Sequence, residues 1–510
     1  MRRRTCLSAD RRVYITKKYY KLNIKALYKK VLGSGNQQKI IKGVFWSFLG
    51  TLISKGFVFI SLFLVARILT VDDYGRLGLL QSYINTFTTI SLASFGITAT
   101  KYLALYADTD KKKASEIYSL TRISVFLLAV LILILSLIFN KQVSGYIVGN
   151  QKMSKEVFLC AFAIFFSSLN GLQTGALAGL ENFKSISYVN MVNGILSLPL
   201  ILFAAYKFGV YGVIIALVII NFSIWLCSAV LLQKELDKKQ IKFTVKDLQK
   251  HLETVYNFTL PSFISSMMLS PVVLICNSML IKNHINGYYQ LGIYNATFNF
   301  SQVATLLLGV IGQVTYPLAM KNFGKDNKKF DFFNINQSYV IGILLFLPIL
   351  ILPDIFSSLY GGKYQNGEMY FTLILVSIST IIIAQRQGIA RNFAAGNFMW
   401  FSVFSNMTWA VITIIACYLL IDYGAIGRAL GFLIGYFLNT IIFIPFYLKK
   451  GLISKKLIIS KEHFFLVIIV ILSCLTFRYI DNILLRILII FSFLSMSLLT
   501  FYKWYKSYIK

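Results

Sequence analysis

Residues 119 to 139 read SLTRISVFLLAVLILILSLIF, an apolar run that a single charge interrupts near its start. A helix rises 1.5 Å per residue, so about 20 such residues cross the roughly 30 Å of hydrocarbon in a bilayer. In that solvent only a helix or a closed barrel satisfies its own backbone hydrogen bonds. The run therefore predicts one membrane-spanning helix.

Thirteen further apolar runs recur along the 510 residues, of which 57% are apolar and only 14% charged. They lie near residues 43 to 69, 77 to 99, 155 to 180, 186 to 206, 210 to 232, 256 to 281, 291 to 318, 336 to 357, 368 to 390, 398 to 420, 425 to 448, 463 to 480 and 483 to 502. We predict an all-α, polytopic integral membrane protein of about 14 transmembrane helices. The run at 463 to 480 has the shortest uninterrupted stretch, so about twelve or thirteen spans remain an alternative.

The formal net charge of +32 follows the predicted topology. If the N-terminus is cytoplasmic and the helices alternate, 37 Lys and Arg residues lie in cytoplasmic segments and eight in outer ones. This asymmetry follows the positive-inside rule. One missed helix would reverse the sides of all later segments and remove the asymmetry. The charge thus indicates cytoplasmic chain ends and attraction to anionic membrane lipids, with no nucleic-acid partner.

The first 42 residues form a basic segment that begins with Arg2, Arg3 and Arg4. This segment lacks the apolar core of a signal peptide. We expect a cytoplasmic tail, part of which is an interfacial amphipathic helix. An over-long gene start is the alternative.

Short matches at a constant spacing divide the chain into two halves. Residues 209–212 (GVYG) line up with 424–427 (GAIG) at an offset of 215, and residues 74–79 line up with 288–293 at 214. An even number of helices per half gives both halves the same orientation, with a central cavity between them. The predicted domains are a basic tail (1–42), a first six-helix lobe (43–232), a cytoplasmic linker (233–255), a second six-helix lobe (256–448) and a C-terminal helix pair with a short cytoplasmic tail (449–510).

The chain shows no pattern of an enzyme. Apart from the basic tail, no connection exceeds about 23 residues, and there is no phosphate-binding Gly-x-x-x-x-Gly-Lys sequence. The three histidines, the cysteines and the carboxylates form neither a metal-binding nor an acid/base cluster. We expect no catalytic residue, metal or cofactor, and we place the working site inside the helix bundle.

Two cations lie within predicted spans. Lys55 is about 12 residues, or roughly 18 Å, into the first helix. Exposing it to lipid would cost about 2.5 to 3.5 kcal/mol, so we expect it to face a hydrated cavity and meet an anion. A structural role beside carbonyls or polar neighbours is the alternative. Arg386 lies about one turn from the predicted cytoplasmic end of the tenth helix, beside Gln385, and Arg391 follows. For Arg386, snorkelling to the interface is the alternative.

Other polar residues recur near or within the apolar runs. For the arginines near predicted helix ends we favour interfacial anchoring; these are Arg67, Arg122, Arg428 and Arg486. Amides such as Gln81, Asn85 and Asn406 are expected mainly to join helices by hydrogen bonds. A subset of them is suited to sugar hydroxyls.

Motifs around the first span resemble those of a known family. Lys42-Gly43, Trp46-Ser47, Gly50 and Lys55, followed by Ala66-Arg67-x-Leu69 and residues 73–75 (DYG), are similar to the opening of the bacterial polysaccharide biosynthesis (Wzx-type oligosaccharide) flippases. The multidrug/oligosaccharidyl-lipid/polysaccharide exporter superfamily includes these proteins, the lipid II flippase and the multidrug and toxin extrusion transporters. The resemblance covers most of residues 39–500. It departs at Thr70-Val71, where the family often has a proline, and in the basic tail.

The resemblance implies a flippase that moves an undecaprenyl-pyrophosphate-linked oligosaccharide across the bacterial cytoplasmic membrane by alternating access, for O-antigen, capsule or exopolysaccharide synthesis. It also implies a polysaccharide polymerase and chain-length machinery as candidate partners. A pyrophosphate-bearing sugar headgroup requires a cationic, polar cavity. Our candidates for its binding are Lys55, Gln81, Asn85, Gln385, Arg386, Arg391 and Asn406.

Several alternatives remain. One is a multidrug or cation exporter of the same superfamily, which usually has carboxylates in its cavity. Another is lipid II transport, which the number of helices does not distinguish from oligosaccharide transport. A membrane-embedded polysaccharide polymerase or glycosyltransferase generally needs a large outer loop or clustered acidic residues, and the longest predicted outer loop has about 15 residues. A sugar permease of the major-facilitator class would carry a Gly-x-x-x-Asp-Arg pattern that residues 100–118 lack.

Overall fold

A computed structural model describes residue 50 and residues 54–245, 247–322, 327–396 and 398–509. The basic tail at 1–42 and its interpretation lie outside these residues. Within the described residues every long element is a helix and there is no strand. The all-α prediction is therefore confirmed.

The longer helices are numbered in chain order. They are α1 (54–68), α2 (Val71–Leu92), α3 (Phe95–Tyr106), α4 (Lys111–Ile138), α5 (Ser154–Gly179), α6 (Phe183–Lys239), α7 (Leu252–Ser266), α8 (Leu269–Asn283), α9 (Gly287–Asn322), α10 (Lys328–Ile351), α11 (Gly367–Ala395), α12 (Met399–Leu419), α13 (Gly424–Lys449), α14 (Lys461–Tyr479) and α15 (Ile483–Ile509). We call the chain from α1 to α6 the first half and the chain from α7 to α13 the second half.

Ten helices in the described part of the chain are long and apolar enough to cross a membrane. One of them, α6, has 57 residues, about 85 Å at 1.5 Å per residue, which accommodates two of the predicted spans. The region that contains α14, the weakest of the predicted runs, is also among the ten. The chain is thus a multi-pass membrane protein, and the count of about 14 spans is consistent with the structure but stays a prediction.

Two glycines that the repeat relates share an unusual backbone conformation. Gly209, inside α6, has φ 59° and ψ −143°, and Gly424, at the start of α13, has φ 57° and ψ −128°. This region of backbone space is accessible essentially only to glycine. The two halves therefore make the same turn at corresponding positions, which supports the repeat. The lobe boundaries at 43–232 and 256–448 stay predictions.

The first turns of α2 and α9 pack backbone to backbone. A Cβ atom on Gly75 would lie 1.9 Å from the carbonyl oxygen of Tyr288, and one on Gly292 would lie 2.1 Å from that of Val71. A larger side chain at either glycine would push the helices apart. The matched segments 74–79 and 288–293 thus meet at the contact between the halves.

Helix breaks in the two halves lie opposite each other. Ala93 and Ser94, between α2 and α3, have φ values of 43° and 60°, and α7 and α8 are separated at residues 267–268. Ser94 Oγ and Ser266 Oγ are 3.2 Å apart. At membrane depth, irregular backbone is tolerated where protein buries it or where it lines a cavity. The breaks therefore border the space between the halves.

The two ends of the bundle differ in charge. We call the end where α4 begins with Lys111, Lys112 and Lys113, and where α6 ends with Lys238 and Lys239, the basic end. The opposite end carries the α1–α2 and α8–α9 connections.

The C-terminal helices α14 and α15 attach to the second half. Trp504 of α15 is only 1% exposed, and its ring centroid lies 5.4 Å from that of Phe332 in α10. Arg486 Nη1 of α15 lies 3.0 Å from Asp354 Oδ2, which follows α10. The buried Arg486 side chain thus forms a partly buried structural ion pair with Asp354, and the expectation of an interfacial anchor is wrong for it.

Replacing Gly209 by alanine is expected to lower the free energy of unfolding by about 1 to 3 kcal/mol, through backbone strain alone. A Cβ atom there meets no other atom within 4 Å, whereas one on Gly424 would also lie 2.3 Å from Gln290 Oε1. Gly424→Ala should therefore be the more destabilising change. The measurement is the thermal unfolding midpoint of the detergent-purified protein.

Gly367→Ala is the matched control, because Gly367 lies in open space at the start of α11 and has no positive φ. Its midpoint should equal that of the wild-type protein. A Gly209→Ala protein as stable as this control would contradict the strain argument.

Candidate functional site

A small polar cavity, which we call the junction cavity, lies between α2 of the first half and α8 and α9 of the second. Its volume is about 190 Å³, and Gln81 and Asn85, both predicted for the site, lie in its wall. The other polar side chains of the wall include Tyr74, Ser82, Asn277, Asn295, Asn299 and Gln302. The structure thus brings two predicted residues together with amides that come from the other half.

Hydrogen bonds cross this cavity from one half to the other. Asn299 Nδ2 donates to the Tyr74 hydroxyl at 2.7 Å, and Asn277 Nδ2 donates to Ser82 Oγ at 3.0 Å. Within the part of the chain that the structure describes, the side-chain amide of Gln81 makes no such bond. An amide of this kind offers both a donor and an acceptor to a ligand hydroxyl.

Arg428 is a buried cation beside the junction cavity that sequence reasoning missed. It is 2% exposed, and its Nε donates to Asn277 Oδ1 at 3.1 Å. Its guanidinium carbon lies 4.6 Å from the ring centroid of Tyr294 and 5.1 Å from that of Phe432. The predicted interfacial anchoring is wrong for Arg428, because the ring faces and the amide hold the guanidinium inside the bundle.

A second cavity, the arginine cavity, adjoins the junction cavity at Leu269 and Ser270, which line both. Its volume is about 530 Å³, and Arg386 and Asn406 lie in its wall. Thr89 is the wall residue from the first half. The two predicted residues Arg386 and Asn406 therefore share a cavity that also lies between the halves.

The Arg386 guanidinium has few partners. Its Nη2 lies 3.5 Å from Ser405 Oγ, and its carbon lies 5.4 Å from the ring centroid of Tyr436. No carboxylate among the described residues forms an ion pair with it. The cation is thus left free to meet an anion in the cavity.

Arg386 lies further from the end of its helix than the sequence predicts. The apolar run ends near residue 390, but α11 continues to Ala395. Arg386 is therefore about 14 Å from the helix end and not about one turn. Snorkelling to that end is correspondingly less favourable.

Arg391 ties the last turns of α11 to α10. It is 6% exposed; its Nε donates to Asn334 Oδ1 at 2.7 Å and its Nη2 to Asn334 O at 2.6 Å. The Asn334 amide in turn donates to Asn392 Oδ1 at 2.7 Å. The structure does not place Arg391 in the wall of the arginine cavity, and its binding role stays a prediction.

A third cavity, the apolar cavity, lies among α10, α11, α13 and α14. Its volume is about 660 Å³, and its wall consists mainly of Ile, Leu and Val side chains, with Gln385 and Arg386 at one side. Ile441 and Ile471 in this wall are about half exposed (48% and 53%), so the cavity reaches the lipid-facing surface. Arg386 lines both this cavity and the arginine cavity, and therefore marks the boundary between them.

Lys55 lies apart from these cavities, on α1. Its side chain is exposed, and no ion pair joins it to any residue that the structure describes. One turn further along, Phe59 contacts Phe300 of α9, with ring centroids 6.1 Å apart. Added Cβ atoms on Gly56 of α1 and Gly309 of α9 would meet no atom within 4 Å. Both helices thus border open space on the basic-end side of the phenylalanine contact.

Hydrogen bonds close the opposite end of the bundle. Arg67 Nε, in the last turn of α1, donates to the carbonyl oxygen of Leu359 at 2.8 Å. Lys363 Nζ donates to the carbonyl oxygen of Leu69 at 3.0 Å. We call these two contacts the end latch. Because both acceptors are backbone carbonyls near the ends of helices, the latch joins the halves without a permanent ion pair.

Comparison with known proteins agrees with this architecture. A family model described as polysaccharide biosynthesis protein matches residues 40–323. The EPS I polysaccharide export inner membrane protein EpsE of Ralstonia nicotianae (strain ATCC BAA-1114 / GMI1000) is 22% identical over 395 residues, which cover 74% of this chain and 86% of the relative.

Solved structures show the same fold. The lipid II flippase MurJ in an inward closed conformation aligns with a TM-score of 0.65 at 15% identity, over 91% of this chain and 99% of its own. An inward-facing multidrug resistance transporter of the MATE family aligns with a TM-score of 0.63 at 15% identity, over 80% of this chain and 98% of its own. The polytopic fold predicted from the sequence is thereby confirmed.

Removing the end latch is expected to open the bundle at that end. In the double variant Arg67→Ala/Lys363→Ala the halves lose the two end-latch hydrogen bonds and two longer ones, to the carbonyl oxygens of Ser358 at 3.3 Å and of Arg67 at 3.2 Å. Because an exposed hydrogen bond contributes about 0.5 to 1.5 kcal/mol, the open population should rise at least roughly tenfold. The measurement uses Gln81→Cys in a chain whose native cysteines have been replaced. An impermeant maleimide, added on the side of the membrane that carries the end latch, should label this cysteine faster when that end is open.

Lys282→Ala is the control, because Lys282 is an exposed lysine near the end of α8 whose ammonium lies over the ring of Tyr146 and makes neither of the end-latch contacts. It should leave the labelling rate unchanged. Equal rates for the double variant and the control would show that the latch does not hold the halves together.

Proposed function

This chain belongs to the polysaccharide biosynthesis protein family, and on that premise we propose that it is a flippase for undecaprenyl-pyrophosphate-linked oligosaccharide. Family and fold make it a multi-pass membrane transporter and not an enzyme. The finer assignment concerns the substrate, its direction of movement and the residues that bind it. The relative that exports EPS I polysaccharide supports a glycan as cargo.

The observation that carries the proposal is the position of Arg386 between a polar and an apolar cavity. A lipid-linked oligosaccharide has three chemically distinct parts: a glycan, a diphosphate and a polyprenyl chain. The guanidinium suits the diphosphate, because its planar fork donates two parallel hydrogen bonds to phosphate oxygens. The diphosphate on Arg386 would leave the glycan in the arginine cavity and the polyprenyl chain in the apolar cavity.

The walls of the polar cavities suit a neutral or anionic glycan. Asn406 lies beside Arg386 in the arginine cavity, and Gln81 and Asn85 lie in the adjoining junction cavity. At about 530 Å³ the arginine cavity has the size of ordinary ligand sites. No Asp or Glu lines either of these two cavities, so the described walls do not favour the alternative of a cation exporter.

Alternating access gives the other cations a role in the proposal. With the end latch closed, the substrate enters from the basic end, where Lys55 is exposed on α1 and the neighbouring Gly56 borders open space. The excess of basic residues at that end supports a cytoplasmic location for it and for both chain termini. Lys55 then meets the diphosphate first, and Arg386 holds it before the halves rearrange.

Arg386→Ala should reduce glycan export by about ten- to hundredfold, because it removes hydrogen bonds to a charged group worth about 1.5 to 3 kcal/mol. Arg386→Lys should retain an intermediate level, since an ammonium keeps the charge but loses the fork. Lys55→Ala should abolish export while membrane insertion stays intact. The measurement is surface polysaccharide relative to membrane-inserted protein, in cells that depend on the variant.

Arg478→Ala is the matched control, because Arg478 is an exposed arginine in the last turn of α14, outside the three cavities. It should export as the wild type does. Normal surface polysaccharide in the Arg386→Ala strain would remove Arg386 from the site, and the same result for Lys55→Ala would remove Lys55.

The membrane potential is expected to drive export. Moving an anion out of a cell that is negative inside is favoured by about 2.3 kcal/mol per charge per 100 mV. Vesicles that hold the protein and a labelled lipid-linked glycan should therefore flip more slowly when an ionophore collapses the potential. Protein-free vesicles measure the background rate, and an unchanged protein-dependent rate after the collapse would exclude this energy source.

A further inference from the structure

A fourth cavity, the basic-end cleft, lies on the outer wall of the first half. It has a volume of about 510 Å³ and is formed by α4, α5 and α6 together with Phe243, which follows α6. None of its wall residues lines the junction, arginine or apolar cavity. The cleft is therefore separate from the proposed transport site.

The deeper part of the cleft is apolar and faces the surroundings of the bundle. Phe126 and Leu127 of α4 lie in its wall and are 49% and 61% exposed, and Leu169 of α5 completes this side. In a membrane-spanning helix such exposed apolar side chains contact lipid. An acyl chain is thus the group that this part of the cleft accommodates.

The shallower part of the cleft holds a cation. Arg122 lies about 16 Å along α4 from Lys111, at the point where the basic first turns give way to apolar residues. Its guanidinium carbon is 5.3 Å from the ring centroid of Phe243, and no ion pair joins it to a carboxylate within the described ranges. The exposed cation therefore lies between the basic first turns of the helix and its apolar run.

Nearby carboxylates already have partners of their own. Asp237 accepts a hydrogen bond from Gln233 Nε2 at 2.8 Å, and Glu235 accepts one from Asn182 Nδ2 at 3.1 Å. Lys238 lies 3.6 Å from Glu235 as well. Of the lysines that begin α4 and end α6, Lys112, Lys238 and Lys239 also lie near carboxylates. Lys111 and Lys113 form no ion pair among the described residues and add positive charge on the basic-end side of Arg122, which attracts anionic headgroups.

The segment that connects the two halves forms the rim of the cleft. The backbone N–H of Lys242 donates to Ser115 Oγ at 3.1 Å, and that of Thr244 donates to Ser119 Oγ at 2.9 Å. These bonds hold the segment along α4 and leave Phe243 51% exposed beside Arg122. An exposed aromatic ring beside a cation is typical of a membrane interface.

We propose that the basic-end cleft binds an anionic phospholipid, with its phosphate on Arg122 and an acyl chain against Phe126 and Leu127. The guanidinium supplies the hydrogen bonds that a phosphate diester accepts, and the apolar wall replaces the contacts that the chain makes in the bilayer. Because Phe243 borders the same cleft, the bound lipid also contacts the connection between the halves. Occupancy of the cleft therefore stabilises that connection along α4.

The experiment measures phosphatidylglycerol binding to the detergent-purified full chain by native mass spectrometry. Arg122→Gln should weaken binding about tenfold, through the loss of hydrogen bonds to a charged group. Ala229→Phe, which fills the cleft from α6, should weaken it independently of charge. Arg478→Gln and Val230→Phe are the matched controls, since neither residue lines the cleft, and both should bind as the wild type does.

Three results would overturn the proposal. The first is unchanged binding in both cleft variants, and the second is equal loss in the variants and their controls. The third is preferential binding of a polyprenyl phosphate over phosphatidylglycerol, which would assign the cleft to the transported lipid. Since this assay needs no transport, its outcome is independent of the proposed flippase activity.

The stabilisation of the connection has its own readout. Hydrogen exchange at residues 241–245 in nanodiscs should slow when phosphatidylglycerol replaces phosphatidylcholine, and Arg122→Gln should abolish the difference. Equal exchange in both lipids would show that the bound lipid does not act on the connection.

Discussion

Hydrocarbon offers no hydrogen-bond partner, so a chain that lies in it must satisfy its own polar groups, and this constraint shapes the whole protein. It makes every long element of the described chain a helix. It also confines helix breaks to places that protein covers, as at Ser94 and Ser266, whose hydroxyls meet between the halves. The polar cavities adjoin these breaks, because irregular backbone and polar side chains must both be kept away from hydrocarbon.

The same constraint distinguishes the arginines of the bundle by the hydrogen-bond partners that each one has. Arg428 is buried against an amide, a thiol and two rings, Arg391 is bonded to Asn334, and Arg486 pairs with Asp354. Arg386 has only a long contact with Ser405 and the face of Tyr436. Arg391 and Arg486 make several hydrogen bonds within the protein and hold helices together, and Arg428 does so while its buried Nη2 has no partner among the described residues. Arg386, with one long hydrogen bond, is available to a ligand. This contrast, more than the number of cations, supports Arg386 as the centre of the proposed site.

Much of the fold was predictable from local patterns. Hydropathy located the helices, and the repeat identified Gly209 and Gly424, which have nearly the same backbone angles. The candidate site was predictable only in part. Gln81, Asn85, Arg386 and Asn406 line adjoining cavities, but Arg428 was expected at an interface. The repeat carried a usable signal, because at an offset of 215 the position of Arg428 is occupied by Val213. An arginine that occurs in only one of the two related halves is not needed for the fold that both halves share, and this indicates a role specific to the second half.

The sequence by itself determined the class of the protein, its helices, the uneven charge of its ends and its internal repeat, because each depends on residues close together in the chain or on a regular spacing. Only the tertiary structure decided which cations are satisfied and which cavities they face. Arg428 meets Asn277 across 151 residues, and Arg391 meets Asn334 across 57. Contacts at such separations depend on how the helices pack. Hydropathy assigns the same value to an arginine that is hydrogen-bonded inside the bundle and to one that is available to an anion.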